Sequence, residues 1–244
     1  MKLKILGSSS AGNCYVFDNG KEALVVEAGI SFSEVKKAVD FDISRIVGCI
    51  ISHEHGDHAK HVQKFIDARI PVYMSLGTLT KTIVSKYSKR ITSKNEITIG
   101  SFQILPFNIQ HDAAEPLGFI IYHPEMGTTL FATDTYYLTY TFSGLNNIII
   151  ECNYRTDILE KNVELGNISM EQQNRTLLSH MSYDTCLETL LENNLFEVNN
   201  IVLIHLSESN ANAAEFQRGI QEATGKTVHI ADKGVVLEFN KTPF

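Results

Sequence analysis

Apolar residues in this chain gather into short runs, each closed by turn-forming residues. "KLKIL", "CYVFD" and "EALVVEA" come first, and "NGKE" between the last two is an Asn-Gly turn of the hairpin type. The chain therefore opens as a sheet. "SFSEVKKAVD" follows with helical spacing, Ser33 is placed to cap it, and "SRIVGCIIS" reads as a buried strand. In "HAKHVQKFIDA", Val62, Phe65 and Ile66 share one helical face, so a strand-to-helix junction falls between these two segments.

The middle of the chain repeats this grammar. "IPVYM" reads as a strand and "LGTLTKTIVSKYS" as a helix, with "EITIG", "FQILPFNIQH", "GFIIYHP" and "TTLFATD" as further strands of a second sheet. "LNNIIIECN", "NIVLIHLSE", "KTVHIA" and "GVVLEFN" supply later strands, with amphipathic helical stretches near 169–178, 183–193 and 211–224. Two β-rich halves, each accompanied by helices, predict a layered α/β arrangement of two sheets face to face with helices outside. No Pro- or Gly-rich linker and no repeat interrupts the pattern, so 1–244 is expected to form one domain. At 244 residues and 43% hydrophobic content, a single substantial core is within reach.

Composition then narrows the chemistry. A net charge of −7 argues against holding nucleic acid by bulk electrostatics, so any polyanion must be gripped locally. The four cysteines, Cys14, Cys49, Cys152 and Cys186, form no CxxC pair and read as reduced, buried thiols. The apolar run in "MKLKILGSSSAGN" is too short for a signal-peptide core, and no segment has the length to span a bilayer. The expected location is cytoplasmic, with no membrane partner.

The strand-to-helix junction carries the densest chemistry. "ISHEHGDHAKH", residues 51–61, holds four of the nine histidines, three of them with an aspartate in the pattern HxHxDH: His53, His55, Asp57 and His58. In extended chain, side chains two apart face the same way, so His53 and His55 can converge on one ion. Asp57 and His58 begin the helix and point to a second position nearby, with Gly56 expected to allow a tight turn between the pairs. Neutral imidazoles with a carboxylate suit zinc or a similar divalent ion, and two ions about 3.5–4 Å apart can share a water. Further single His and Asp residues close apolar strands downstream: His111, Asp134 and His205. A carboxylate such as Asp134 has two oxygens with which to serve two cations.

With HxHxDH followed by His, Asp and His in that order, the sequence resembles the metallo-β-lactamase superfamily over essentially its whole length. The resemblance implies a four-layered αβ/βα sandwich. It also implies one ion held by His53, His55 and His111, another by Asp57, His58 and His205, and Asp134 shared. Two divalent ions are the implied cofactors, Zn²⁺ first, with Mn²⁺ or Fe²⁺ as alternatives. Within the superfamily, "GSSSAGNCYVF", "LLSHMSYDTCLETLLE" and "IVLIHLSESNAN" look like the small YycJ/WalJ-type branch, related to nucleases of the ribonuclease Z and J kind. That branch is associated with 5′-to-3′ DNA exonuclease activity.

The implied reaction is phosphodiester hydrolysis by a hydroxide bridging the two ions, oriented by Asp57 and Asp134. His180, placed before a helix capped by Ser182 as in ribonuclease Z relatives, is the candidate general acid. Ser9, Ser10 and Asn13, with Ser207 and Asn210 at a helix N-terminus, form donor-rich turns and are the candidate phosphate-binding residues. His61, His123 and His229 fall outside the ligand pattern and are expected at surface or strand positions. DNA ranks ahead of RNA as substrate, because nothing resembles the ribonuclease Z arm. The alternative is a small ester or thioester hydrolase of the glyoxalase II or lactonase kind, which would use the same seven ligands. The glyoxalase II type carries a helical extension after the core, whereas this chain closes soon after "GVVLEF". Oligomeric state is left open by the sequence.

Overall fold

Strand β1 (Lys2–Ser9) alternates exposed or half-buried positions with Leu3, Ile5 and Gly7 turned inward, as a strand with one covered face must. It pairs antiparallel with β2 (Gly12–Asp18), which pairs antiparallel with β3 (Ala23–Val26). The turn between them is closed by Asn19, whose side-chain oxygen accepts from the amides of Lys21 and Glu22, and by Gly20 at φ +83. The computed structural model describes residues 1–242. In chain order the next elements are α1 (Phe32–Ala38), β4 (Ile46–Ile50), α2 (Gly56–Ala59), α3 (Val62–Asp67), β5 (Val72–Met74), α4 (Leu76–Lys81) and β6 (Ser88–Arg90). The second half begins with β7 (Ile97–Ile99), β8 (Phe102–Asn108), β9 (Leu117–His123), β10 (Gly127–Ala132) and β11 (Leu145–Glu151). It continues with α5 (Thr156–Glu164), α6 (Met170–Ser179), α7 (Tyr183–Glu192), β12 (Asn200–Ile204), α8 (Ala213–Thr224), β13 (Thr227–Ile230) and β14 (Val236–Glu238).

These strands form two seven-stranded sheets, ordered β14-β1-β2-β3-β4-β5-β6 and β13-β12-β11-β10-β9-β8-β7. Both are mixed: β3 to β6 run parallel in the first, and β10 to β13 run parallel in the second. The sheets pack face to face through Leu3, Ile5, Tyr15 and Phe17 on one side and Phe102, Phe119, Phe131 and Ile149 on the other. The outer face of the first sheet buries Cys14, Val16, Val25 and Cys49 against Val35 of α1 and Val62, Phe65 and Ile66 of α3. The outer face of the second buries Leu130, Ile148, Ile150 and Leu203 against Cys186 and Leu190 of α7 and Phe216 and Ile220 of α8. The result is the expected four-layered αβ/βα sandwich. Truncating a large residue between the sheets, such as Phe119→Ala, should cost about 3–5 kcal/mol.

Several elements differ from the sequence expectation. "IPVYM" belongs to the first sheet, because the α2–α3 crossover returns the chain parallel to β4. "GVVLEFN" also joins the first sheet, pairing antiparallel with β1. The helix expected over 76–88 ends at Lys81; β-branched Thr82, Ile83 and Val84 follow it, and Ser88–Arg90 forms an edge strand beside β5. Helix α1 has Ser31 at its N-cap, with Ser33 inside the first turn bonded to the Ser31 hydroxyl. Helix α5 was not anticipated. All four cysteines are free and buried, and no helix among the described residues is long and apolar enough to cross a membrane.

Candidate metal centre

Six strands deliver the chemistry at their C-terminal ends. His53 follows β4, His111 follows β8, Asp134 follows β10, Glu151 ends β11, His205 follows β12 and Glu27 follows β3. Where an apolar strand must turn away at once, the backbone leaves the extended region: Glu27, Asp134 and His205 all have positive φ, 67°, 47° and 55°. Such conformations cost of order 1–3 kcal/mol each and persist where surrounding contacts over-determine them. They aim the side chains across the end of the sandwich.

Three overlapping groups of donors result; one, Asp134, Glu151, His180 and His205, is drawn from the carboxylates and rings beside the cleft, and the other two follow the sequence pattern. His53, His55, His111 and Asp134 each offer an atom within 4.8 Å of the others, and so do Asp57, His58, Asp134 and His205. In the first group His111 Nε2 lies 3.2 Å from His55 Nδ1 and 3.7 Å from Asp134 Oδ2, while His53 Nε2 is 3.4 Å from the same oxygen. In the second, His58 Nε2 is 3.0 Å from Asp134 Oδ2 and 3.3 Å from Asp57 Oδ2, and His205 Nε2 is 3.5 Å from Asp57 Oδ2. Ligands about 2.05 Å from a tetrahedral zinc stand about 3.3 Å apart, so these separations are those of a coordination shell. Lone pairs facing one another need a cation between them.

The outer nitrogens explain why the inner ones face inward. His53 Nδ1 meets the Ser52 hydroxyl at 2.9 Å, His111 Nδ1 meets the Ser179 carbonyl at 3.1 Å, and His205 Nδ1 meets Glu151 Oε1 at 3.1 Å. His58 Nδ1 lies 3.4 Å from the buried Glu27 carboxylate, an ion-pair contact without a hydrogen bond. Anchoring one ring nitrogen on an oxygen fixes the tautomer and leaves the other nitrogen to a metal. His53 Nε2 and His205 Nε2 are buried without any hydrogen-bond partner. Orphaned buried nitrogens, His53 Nε2 facing Asp134 and His205 Nε2 facing Asp57, fit divalent ions held between ring and carboxylate.

The electrostatics agree. Burial alone would lower the His205 imidazole, but the Asp134 charge, the nearby Asp57 carboxylate and the hydrogen bond to Glu151 push it up to about 10. Burial opposes the His58 imidazole too, and the charges of Asp134 and Glu27 outweigh it and raise it well above the usual histidine range. His53 is pushed down, first by burial and then by the like charge of His58. A site rich in carboxylates demands positive charge, which protons supply when metal does not.

Neighbouring residues hold the metal loop in place. Asn13, expected to contact substrate, is fully buried and instead presents Nδ2 to Asp57 Oδ2 at 3.3 Å and to His58 Nε2 at 3.1 Å. A Cβ on Gly29 would collide with the Asp57 carbonyl oxygen, so that glycine sets how closely the loop approaches. Gly56, by contrast, meets nothing within 4 Å and has no positive φ; the chain does turn there, with His58 N donating to His55 O at 2.9 Å, but as the first turn of α2, which does not require a glycine.

Beside the metal donors lies a cleft of about 610 Å³ lined by Ser9, Ser10, Ser207, Asn210, Gln172, Arg175, His180 and His205, among others. Ser207 and Asn210 sit in a turn ahead of α8, whose N-cap is Asn212, so no helix terminus backs them. Ser8 is engaged by the Tyr15 hydroxyl and the His205 amide. His180 ends α6, and its Nδ1 meets Glu151 Oε1 at 2.7 Å. Burial would lower this imidazole, and the Glu151 charge and hydrogen bond outweigh it, so it is raised above the usual value. His123 pairs with Glu22 and His229 with Asn200, both away from the site, and His61 is half-buried at the N-cap of α3.

Sequence reasoning missed Glu27, Glu151 and Arg175. The two glutamates carry the same signal as Asp134, a carboxylate closing an all-apolar run in "ALVVE" and "NIIIE". Arg175 gave none: it lies on a polar helix face.

Comparison with known proteins agrees with this geometry. Residues 9–138 match the Metallo-beta-lactamase superfamily. Over 228 residues the chain is 26% identical to "Exodeoxyribonuclease YycJ" of Bacillus anthracis, covering 86% of this chain and 84% of that protein. Over 234 residues it is 27% identical to "Exodeoxyribonuclease WalJ" of Streptococcus pneumoniae, covering 86% and 82%. The metallo-beta-lactamase fold protein YhfI from Bacillus subtilis superposes with a TM-score of 0.72 at 18% identity, covering 97% of this chain and 99% of that one. The chain belongs to the metallo-β-lactamase superfamily, as a metal-dependent hydrolase of that fold.

Proposed function

We propose that this chain is an exodeoxyribonuclease, hydrolysing DNA phosphodiester bonds at a dinuclear zinc centre in the cytoplasm. The observation that carries the reading is Asp134 Oδ2, which lies within ligand distance of both donor groups of the sequence pattern and so makes one two-ion site out of them. The nitrogen-rich donor set favours zinc over magnesium or calcium, which prefer oxygen. DNA is favoured by the two exodeoxyribonucleases to which the chain is similar over most of its length. Four free buried thiols suit a reducing compartment.

When bound, the two ions supply an activated water and stabilise charge on the nonbridging phosphate oxygens. The chain's own residues do the rest. His53, His55 and His111 would hold one ion, Asp57, His58 and His205 the other, and Asp134 both, with the Asp57 carboxylate placed to orient a water between them. Glu151 accepts from His180 Nδ1, which leaves Nε2 free in the cleft to carry a proton to the leaving oxygen. Ser9, Ser10, Ser207 and Asn210 line the same cleft and offer donors to the strand.

The test is incubation of the zinc- or manganese-loaded protein with 5′-phosphorylated linear DNA, bis(p-nitrophenyl) phosphate and a thioester. The reading expects turnover of the first two; thioester turnover without phosphodiester turnover would overturn it.

A further inference from the structure

Among the residues lining the 610 Å³ cleft, Arg175 is the sole lysine or arginine. Its guanidinium, like those of Arg69, Arg90 and Arg218, makes no hydrogen bond or ion pair with another described residue, whereas Arg45 and Arg155 are each committed to carboxylates. Gln172 and Thr176 line the same wall. These three positions are spaced i, i+3 and i+4 on α6, so they form one helical face turned to the cleft. The far side of α6 exposes Met170 and Leu177, and Leu178 is exposed beside Arg175. At the mouth of the site the helix thus offers the cleft an exposed arginine flanked by the polar side chains of Gln172 and Thr176.

Position decides which part of a ligand. Arg175 precedes His180, the extended C-cap that closes α6, by five residues, a rise of about 7.5 Å between their backbones. His180 faces the leaving oxygen in the reading above, so Arg175, rooted more than a turn back along the same wall, is placed for a phosphate next to the scissile one. A nucleic-acid strand rises about 3.4 Å per nucleotide when stacked, and more when extended, so the span is one to two nucleotides. With a net charge of −7, the protein has no general attraction for a polyanion, and an uncommitted guanidinium able to bind phosphate in bidentate fashion provides it locally.

We propose that Arg175, assisted by Gln172 and Thr176, is a binding subsite for a DNA phosphate one to two nucleotides away from the bond being cut. The proposal rests on the nuclease reading and gives it a substrate class: chains with at least one phosphate beyond the scissile one. Small diesters lack that phosphate and should be indifferent to Arg175.

The test compares the zinc-loaded parent with Arg175→Ala, Arg175→Lys and Arg218→Ala. Arg218 is an exposed arginine of α8 outside the cleft lining, and its removal gives the same charge change. Steady-state rates are measured on a 5′-phosphorylated oligonucleotide and on bis(p-nitrophenyl) phosphate. For Arg175→Ala the expected result is a KM for DNA raised about ten- to hundredfold, with kcat within about threefold and the small diester unaffected. Arg175→Lys should recover part of the loss, and Arg218→Ala should match the parent. Binding of a phosphorothioate oligonucleotide should lose about one unit of salt slope in Arg175→Ala alone. An unchanged DNA KM in Arg175→Ala, equal losses on both substrates, or an equal loss in Arg218→Ala would each overturn the proposal. Failure of the parent itself to cut DNA would instead sink the nuclease reading.

Discussion

Glu151 Oε1 sits 2.7 Å from His180 Nδ1, and the same oxygen lies 3.1 Å from His205 Nδ1. One fully buried carboxylate thus orients both a cleft-facing imidazole and a metal-donor imidazole, whose rings stack with centroids 5.2 Å apart. Its other oxygen accepts from the amides of Thr135 and Met181, which ties the Asp134 turn and the His180 turn to the same side chain. Glu151→Gln keeps the shape and removes the charge. It should lower kcat on bis(p-nitrophenyl) phosphate about 10- to 100-fold. His180→Ala should lower kcat about 10²- to 10⁴-fold while zinc content, measured by inductively coupled plasma spectrometry, stays at the parent level. Loss of zinc in His180→Ala would move that residue from proton transfer to metal retention.

The two donor groups of the sequence pattern share Asp134 but otherwise use different residues. His53→Ala should therefore release the ion of its own group and retain some of the other, whereas Asp134→Ala should empty both. Zinc per chain after dialysis measures this. Because ions bind the folded state alone, chelation of the parent should lower the melting temperature, and restored zinc should raise it. A melting temperature indifferent to chelator would show that the residues meet without metal.

Gly29→Ala places a methyl group against the Asp57 carbonyl, and backbone on both sides leaves it nowhere to go. Ala28 and Gly29 already hold this loop through bonds to His58 O and Asn13 O at 2.7 and 3.0 Å. The substitution should cost about 1–3 kcal/mol by overpacking and reduce zinc content, read by thermal unfolding and metal analysis together. A zinc content equal to the parent would show that the loop relaxes without moving Asp57.

Asp18 supplies acid sensitivity far from the metal centre. Burial would raise its carboxyl, but hydrogen bonds from Lys4 and Gly20 and the charges of Lys4 and Arg45 hold it below the ordinary value of 3.8. A depressed folded-state value means stability that is present above the unfolded value and lost as pH falls through the folded one. Asp18→Asn should therefore destabilise the protein at pH 7 by about 3 kcal/mol. The gap between variant and parent should close only below about pH 4. Urea midpoints at pH 7, 5 and 3 check it; a gap constant across all three would remove Asp18 as the titrating group.

Much of this was legible in the sequence because its signals are local. HxHxDH puts its donors within six residues, and runs such as "NIVLIH" announce both a strand and the side chain at its end. What escaped depends on distant partners. The sheet to which "IPVYM" belongs is decided by pairing with β4, and Asn13 reads as a turn donor until the Asp57 loop is seen folded over it. Gly29 looks ordinary in sequence because its importance lies in a contact twenty-eight positions on. Glu27 and Glu151 show a subtler limit: a carboxylate behind an apolar run is as often a surface turn as a buried anchor, and burial alone separates the two.

The most direct measurement is anomalous diffraction at the zinc edge from crystals of the zinc-loaded protein. The account predicts two peaks about 3.5–4 Å apart. One should stand about 2.0–2.2 Å from His53 Nε2, His55 Nδ1 and His111 Nε2, the other at that distance from Asp57 Oδ2, His58 Nε2 and His205 Nε2, with the Asp134 carboxylate reaching both. Peaks bound elsewhere, or a fully loaded crystal with no peak among these seven residues, would contradict it.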